Sequence, residues 1–327
     1  MRPPIVLVLL LLSLGLAPAA QGQVGEPGAG GPKPGESQVQ RWRVGLVVSS
    51  LGGPCGRMVG TTTVPMDWPE QRIKIVAQDL SPGVTVAYKT YNGTVKQMIV
   101  KVPHMAEGED MRAILTLEIE RSTLLPPGNP EVYVVPDPKT LKSTVKDYLG
   151  PSPYIECTHP RIKALAKEIG AEGKAWDRVR AIYDWVRKKI EYEKDAPLTG
   201  VVEAIDKGTG DCNQLTSAFV AICRAAGIPA RTVRVPHHCY PEFYLQDDKG
   251  EGYWFPCEAS GTESFGGIAS HLPILQKGDN FRIPLPDPGS KRSKVETYRF
   301  LPESLTGMPR ANGGRPQLQL VCEPDGQ

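Results

Sequence analysis

The chain has 327 residues, with 38 basic against 36 acidic side chains and a formal net charge of +2. That length carries two folded domains with a sizeable core, and nearly cancelled charge without a basic run excludes an electrostatically driven nucleic-acid binder. The 34 Gly and 32 Pro demand many turns and at least one loose segment, and the odd number of cysteines, 7, leaves at least one thiol unpaired within a monomer.

In chain order, the first segment is not part of a fold. Met1 and Arg2 give a positive start, residues 5–16 are apolar or small, and Ala17-Pro18-Ala19 and Ala20-Gln21-Gly22 offer small-x-small cleavage sites. This is the pattern of a secretory signal peptide over residues 1–22. The apolar run is too short to span roughly 30 Å of hydrocarbon, and no cysteine follows it before Cys55 to accept a lipid. The expectation is a secreted or periplasmic protein without an integral membrane segment after cleavage, in a compartment where disulfides persist. Residues 23–40, rich in Gly and Pro, read as a flexible linker.

From Arg41 short β-rich runs appear at 42–48, 73–76, 84–90, 95–102, 113–119 and 132–135. Asn92-Gly93 between two of them is a hairpin signal; Asn92-Gly93-Thr94 also matches a glycosylation acceptor, and the turn is the reading taken here. Residues 41–148 are therefore expected to form an all-β, sandwich-like domain.

Helical periodicity takes over in residues 149–327, the second expected domain. Thr158-His159-Pro160 starts a helix with proline at its first position, Ile162, Leu165, Ala166 and Ile169 mark its apolar face, and His159 is expected to cap it. Trp176, Val179, Tyr183, Val186 and Ile190 recur at intervals of three and four, the stripe of a core-facing helix. Near the C-terminus, residues 317–321 alternate like a last strand, assigned to this second domain.

Candidate chemistry falls between Gly208 and Ser260. Gly208-Thr209-Gly210-Asp211 is a tight turn, and Cys212 follows at the first turn of a helix faced by Leu215, Phe219, Ile222, Cys223 and Ala226. The helix dipole at that end lowers a thiol pKa and favours a nucleophilic thiolate. Cys223, mid-helix on the apolar face, is expected to be a small core residue. A thiolate needs a base, and the base needs an orienting group. Two strands joined by a polar loop, 237–245 and 253–258, carry both. Folding the hairpin about Asp248 sets His238 opposite Glu258 and Cys239 opposite Cys257, which predicts a histidine–carboxylate pair and a cross-strand disulfide. The cysteine spacings contain no C-x-x-C pair, so neither a metal nor another cofactor is expected.

These residues resemble the transglutaminase-like superfamily. GTGDCNQLTSAFVAICRAAGIPARTV is similar to its nucleophile segment, G-x-C at a helix start followed by R-x-x-G-I-P-A-R. HHCYPEFYL is similar to its H-x-W-x-E-x-Y strand, with the histidine at His238. WFPCEASG is similar to W-x-P-x-D-P-T, with the carboxylate at Glu258, and AWDRVRAIYDWVRKKIEY is similar to the helix before the nucleophile loop. Three departures stand out: Glu258 replaces aspartate, Tyr240 replaces tryptophan and Ala259 replaces proline. The resemblance, covering about a third of the chain, implies an α+β, papain-like catalytic domain. In such a domain a cysteine-bearing helix packs on an antiparallel sheet, here preceded by the sandwich-like domain. It implies a Cys212–His238–Glu258 triad acting on amide bonds of a peptide or protein substrate. The acceptor, water or an amine, separates a protease or amidase from a transglutaminase. The Cys212 backbone N–H is the candidate oxyanion donor, with Tyr192 and Asn213 as side-chain alternatives. The competing expectation is a catalytically silent secreted binding or structural module that keeps the fold.

Overall fold

The computed structural model describes residues 30–169, 172–285, 294–307 and 313–326; the expected signal peptide and the first part of the linker lie outside these residues. Six strands come first: β1 (Lys33–Leu51), β2 (Met58–Val64), β3 (Gln71–Leu80), β4 (Thr85–Tyr91), β5 (Val95–Val102) and β6 (Asp110–Leu125). Period-two alternation puts Trp42, Val44, Leu46 and Val48 of β1 and Ala113, Leu115, Leu117 and Ile119 of β6 into one core. Met98, Val100 and Val102 of β5 close that core from the facing sheet. The β4–β5 hairpin turns at Asn92-Gly93, both with positive φ (51° and 68°), as the dipeptide predicts.

Two expectations in this half need correction. Residues 33–40, read as linker, already belong to β1, where Lys33 pairs with Leu125 and Ser37 with Ser122. This end of β1 is almost wholly exposed. The backbone ladder holds it, so no apolar alternation announces it. The run at 132–135 is not a strand: Pro130–Val132 forms a 3₁₀ turn capped by Asn129, and only Val134 bridges, to Gln246. Prolines on both sides of the run prevent a longer ladder.

The helical layer follows: α1 (Ser143–Lys146), α2 (Pro160–Ile169) and α3 (Ala175–Lys189). After these come the short strand β7 (Glu191–Tyr192), α4 (Val201–Lys207), the short strand β8 (Thr209–Gly210) and α5 (Cys212–Ala225). As expected, His159 caps α2, its Nδ1 accepting from the Arg161 N–H at 3.3 Å. Helix α5 is buried along nearly its whole length, as its apolar and small residues on every face require. It packs against α2, α3, α4 and the sheet that follows.

That sheet contains β9 (Ala230–Val235), β10 (His238–Gln246), β11 (Gly252–Glu258) and the short strands β12 (Ser264–Phe265) and β13 (Gln276–Lys277). Trp176 of α3 meets Phe243, Phe255 and Phe265 at ring-centroid distances of 5.5, 5.2 and 5.2 Å, edge-on to all three. Such contacts add to plain area burial. A fully buried ion pair, Arg224–Asp279 at 2.7 Å, pins the end of α5 to the segment after β13. Both partners are further hydrogen-bonded: Arg224 also donates to Ala230 O and Gly150 O, and Asp279 accepts from Thr232 N and Ser152 Oγ.

The chain ends with β14 (Phe281–Leu285), β15 (Lys294–Tyr298), β16 (Ser304–Gly307) and β17 (Arg315–Pro324). Contrary to the expectation above, the C-terminal strand does not join the helical half but the N-terminal strands. β17 pairs with β1 along Leu51 to Trp42, and β16 pairs with β2. Leu318, Val321 and Cys322 rest on the N-terminal β region, where β17 covers an edge of β1 that would otherwise be open.

The strand order β17-β1-β6-β3 forms one sheet, and β12-β11-β10-β9-β13-β5-β2-β16 the other, with β4 beside β5. The fold is α+β, with a helical layer on strand-rich sheets. A sandwich-like core is present in the N-terminal half, but it is not a separate domain. Through β13, one of its sheets runs on into the strands that carry His238 and Glu258.

Candidate active site

Local sequence fixes where Cys212 sits. Helix α4 ends on Gly208 at φ +75°, a left-handed cap suited to glycine. β8 then pairs with β7, Gly210 facing Tyr192. A Cβ on Gly210 would lie 2.6 Å from Gln214 Cβ, so only glycine permits the approach. Asp211 caps α5 in a capping box: its Oδ1 accepts from Asn213 N at 2.7 Å, and Gln214 Oε1 accepts from Asp211 N at 3.0 Å. Cys212 is the first residue of α5, 9% exposed, at the positive end of the helix dipole. Its N–H has no preceding helical carbonyl to bond.

His238 opens β10 after a turn in which His237 adopts φ +57°. The hairpin register differs from expectation. Glu242 pairs with Pro256 and Gln246 with Gly252, so the turn centres on Lys249 rather than Asp248. Asp247 causes this: its Oδ1 accepts from Lys249 N and Glu251 N, both at 2.9 Å, and so organises the loop. The ladder moves by two positions, an even shift that keeps every side chain on its face. His238 and Glu258 become diagonal neighbours, and Nε2 and Oε2 still meet at 2.9 Å. With Nε2 so engaged, Nδ1 is the ring nitrogen left to face the thiol, and His238 and Cys212 each shift the other's pKa.

The same shift removes the predicted Cys239–Cys257 disulfide. Both are free buried thiols; Cys257 Sγ lies 3.9 Å from Pro241 O, and Cys239 turns to the nucleophile. Its Sγ is 3.5 Å from Cys212 O and 3.6 Å from Asn213 Oδ1, and its thiol hydrogen-bonds the Cys212 sulfur. Once Cys212 is ionised, the thiolate is the strongest acceptor available to that S–H. Cys223 is a buried core residue, as expected, its thiol pKa pushed up by burial.

Glu258 is held from two sides. Its Oε1 accepts from Ser260 N at 3.1 Å. Its carbonyl accepts from Tyr183 Oη at 2.8 Å and Arg187 Nη1 at 3.0 Å, both on α3. Asn213 is unsuited to the oxyanion role: its Nδ2 donates to Asp211 and its Oδ1 faces Cys239. Tyr192, 54% exposed, stands close enough to Cys212 for the thiolate to raise its pKa, behind the effect of desolvation. His104 and His271 lie outside this cluster.

Electrostatics favour an ion pair. The hydrogen bond from Cys239 leads in lowering the Cys212 pKa; burial opposes it, His238 assists, and the result is about 5. Burial opposes charge on His238, but hydrogen bonds to Cys212 and Glu258 outweigh it and raise its pKa to about 10. Cys239 is pushed well above 9.0 by its bond to Cys212 and by burial. At neutral pH the arrangement is a thiolate beside an imidazolium, the state a thiol nucleophile requires.

Sequence reasoning missed Tyr183, Arg187, Cys239 and Arg299 as parts of this cluster. Tyr183 had shown only as part of an apolar stripe, and Cys239 had the signal of adjoining His238. Arg187 and Arg299 had none, since each reaches the site from a distant element. Arg299 Nη2 donates to Asn213 O at 3.2 Å and lies 3.9 Å from Cys239 Sγ.

Comparison with known proteins bears on the fold that carries these residues. The family described as Transglutaminase-like superfamily matches residues 163–259, from α2 to just past Glu258. An uncharacterized protein of Haemophilus influenzae is 28% identical over 134 residues, covering 39% of this chain and only 36% of that relative's length. A crystal structure of a candidate cysteine protease from Cytophaga hutchinsonii superposes with TM-score 0.57 at 17% identity, covering 89% of this chain and 93% of that one. The periplasmic domain of TgpA from Pseudomonas aeruginosa, bound to ethylmercury, gives TM-score 0.32 at 15% identity over 66% of this chain and 89% of that one. The helix-and-sheet unit that presents Cys212, His238 and Glu258 has the transglutaminase-like, papain-like superfamily fold.

Proposed function

We propose that this protein is an exported, cysteine-dependent acyl-transfer enzyme acting on amide bonds of peptides or proteins, with Cys212 as nucleophile, His238 as acid and base, and Glu258 as orienting carboxylate. The observation that carries this reading is the contact of His238 with Glu258 at 2.9 Å, on a ring that also interacts with Cys212 at the start of α5. The imidazole is 28% exposed, open enough for a leaving group to reach it.

The steps follow from the charges. The Cys212 thiolate adds to the amide carbonyl carbon, and the oxyanion forms within reach of the Cys212 N–H. His238 imidazolium gives its proton to the amide nitrogen as the C–N bond breaks, leaving a thioester and a neutral imidazole. His238 then takes a proton from the acceptor, water or a primary amine, as that acceptor attacks the thioester. The C–S bond breaks and the thiolate–imidazolium pair is restored. Water gives hydrolysis; a lysine amine gives a cross-link.

The test uses a denatured protein substrate with a fluorescent primary amine, read by mass spectrometry for new peptide termini and for amine incorporation. One of the two is expected, lost after iodoacetamide labels Cys212. Neither activity, with Cys212 slow to label, overturns the reading in favour of a silent binding module.

A further inference from the structure

Arg299 lies on the segment joining β15 and β16, outside the residues the family match covers. It is 4% exposed. Of its three guanidinium nitrogens, Nη2 donates to Asn213 O, while Nε and Nη1 are buried without a hydrogen-bond partner. Among the described residues no carboxylate pairs with it. Its place is fixed: buried Gln276 donates from Nε2 to Arg299 O at 3.0 Å and accepts at Oε1 from Leu301 N at 3.1 Å. The Phe300 ring stands 5.0 Å from its guanidinium carbon.

A guanidinium stays charged at any accessible pH, and burying it without an anion is costly. Among the described residues the group beside it that can share negative charge is the thiol pair: Cys239 Sγ is 3.9 Å from Nη2, and it lies 3.5 Å from Cys212 O. In the working state the thiolate, the imidazolium and Glu258 sum to one negative charge, which one guanidinium neutralises. Two other charged groups lie near the cluster: Asp211 at the α5 cap, accepting from Asn213 N, and Arg187 on α3, donating to Glu258 O.

We propose that Arg299 is a positioning residue for the nucleophile: through Cys239 it supplies the counter-charge of the thiolate, and through Asn213 O it anchors the first turn of α5. This rests on the enzymatic reading above. It also makes the C-terminal segment part of the thiol centre.

The experiment follows carbamidomethylation of Cys212 by iodoacetamide from pH 4 to 10 on the full chain, with peptide mass spectrometry and thermal unfolding of the same samples. In Arg299→Gln the midpoint is expected to rise by about one pH unit, a tenfold loss of thiolate at acidic pH. Arg299→Lys, which keeps the charge, should stay nearer the wild type. Cys239→Ala deletes the relay thiol and keeps the guanidinium, and its midpoint should rise as well. Folded Arg299→Gln or Cys239→Ala with a wild-type midpoint overturns the proposal. If Arg299→Gln does not fold, Cys239→Ala decides by itself. A wild-type midpoint no lower than that of a free thiol is a different failure, that of the enzymatic reading itself.

Discussion

Glu258 reaches His238 along a diagonal of the β10–β11 ladder, and its carboxylate closes to 2.9 Å. Diagonal neighbours in a sheet stand farther apart than facing ones, within reach of long side chains. The glutamate in place of the family's aspartate fits that span. Glu258→Gln keeps the length and loses the charge, so kcat should fall by about 10²–10⁴. Glu258→Asp keeps the charge and loses the reach, and should also lower kcat, by a smaller factor. Steady-state kinetics of both variants, with circular dichroism to verify folding, checks the pair; wild-type rates for Glu258→Gln would remove Glu258 from the mechanism.

Cys212 contributes little packing at the first position of α5. Cys212→Ala should abolish hydrolysis and transamidation alike, while unfolding stability at acid pH, where the thiolate–imidazolium pair is absent, changes by no more than about 1 kcal/mol. Denaturant titration alongside the activity assay separates loss of the nucleophile from loss of the fold.

The thiolate–imidazolium pair sets a pH window. Activity needs Cys212 ionised, above about 5, and His238 protonated, below about 10. The kcat/KM profile should therefore be bell-shaped, with limbs near those values. Stability follows the same pair. His238, raised from 6.5, adds stability that is full below 6.5 and lost as pH rises through about 10. Cys212, lowered from 9.0, adds stability that is full above 9.0 and lost as pH falls through about 5. Because the two titrate together, their joint contribution should form a plateau between 6.5 and 9.0. Melting temperatures of wild type and Cys212→Ala across pH should converge at both extremes.

The Arg224–Asp279 pair is fully buried and saturated with hydrogen bonds. Removing one partner strands the other charge, so Asp279→Ala should cost roughly 3–5 kcal/mol. Chemical denaturation measures this directly; a cost under about 1 kcal/mol would mean that water or another group replaces the carboxylate.

The site was more legible in the sequence than the architecture around it. Cys212, His238 and Glu258 announced themselves through a glycine-rich helix start and two strands with polar faces. The register between those strands did not, because Asp247 decides it through backbone hydrogen bonds that leave no periodic trace. β2 (Met58–Val64) went unread because its run of Thr61, Thr62 and Thr63 hides a buried face. The exposed end of β1 was hidden by its polarity, and the partner of β17 is a strand nearly the whole chain away. Cys239 beside Cys212 and Arg299 beside both depend on packing that no spacing encodes.

Because β17 completes the sheet that β1 begins, closing that edge requires two strands from opposite ends of the described residues. Contacts of that sequence separation form late and slow the overall folding rate. The edge of β1 therefore stays open until β17 docks on it. The helix and sheet that carry Cys212 and His238, continuous with that region through β13, are thereby coupled to this late closure. A variant lacking β17 should be an incompletely closed chain, its β1 edge exposed to proteolysis.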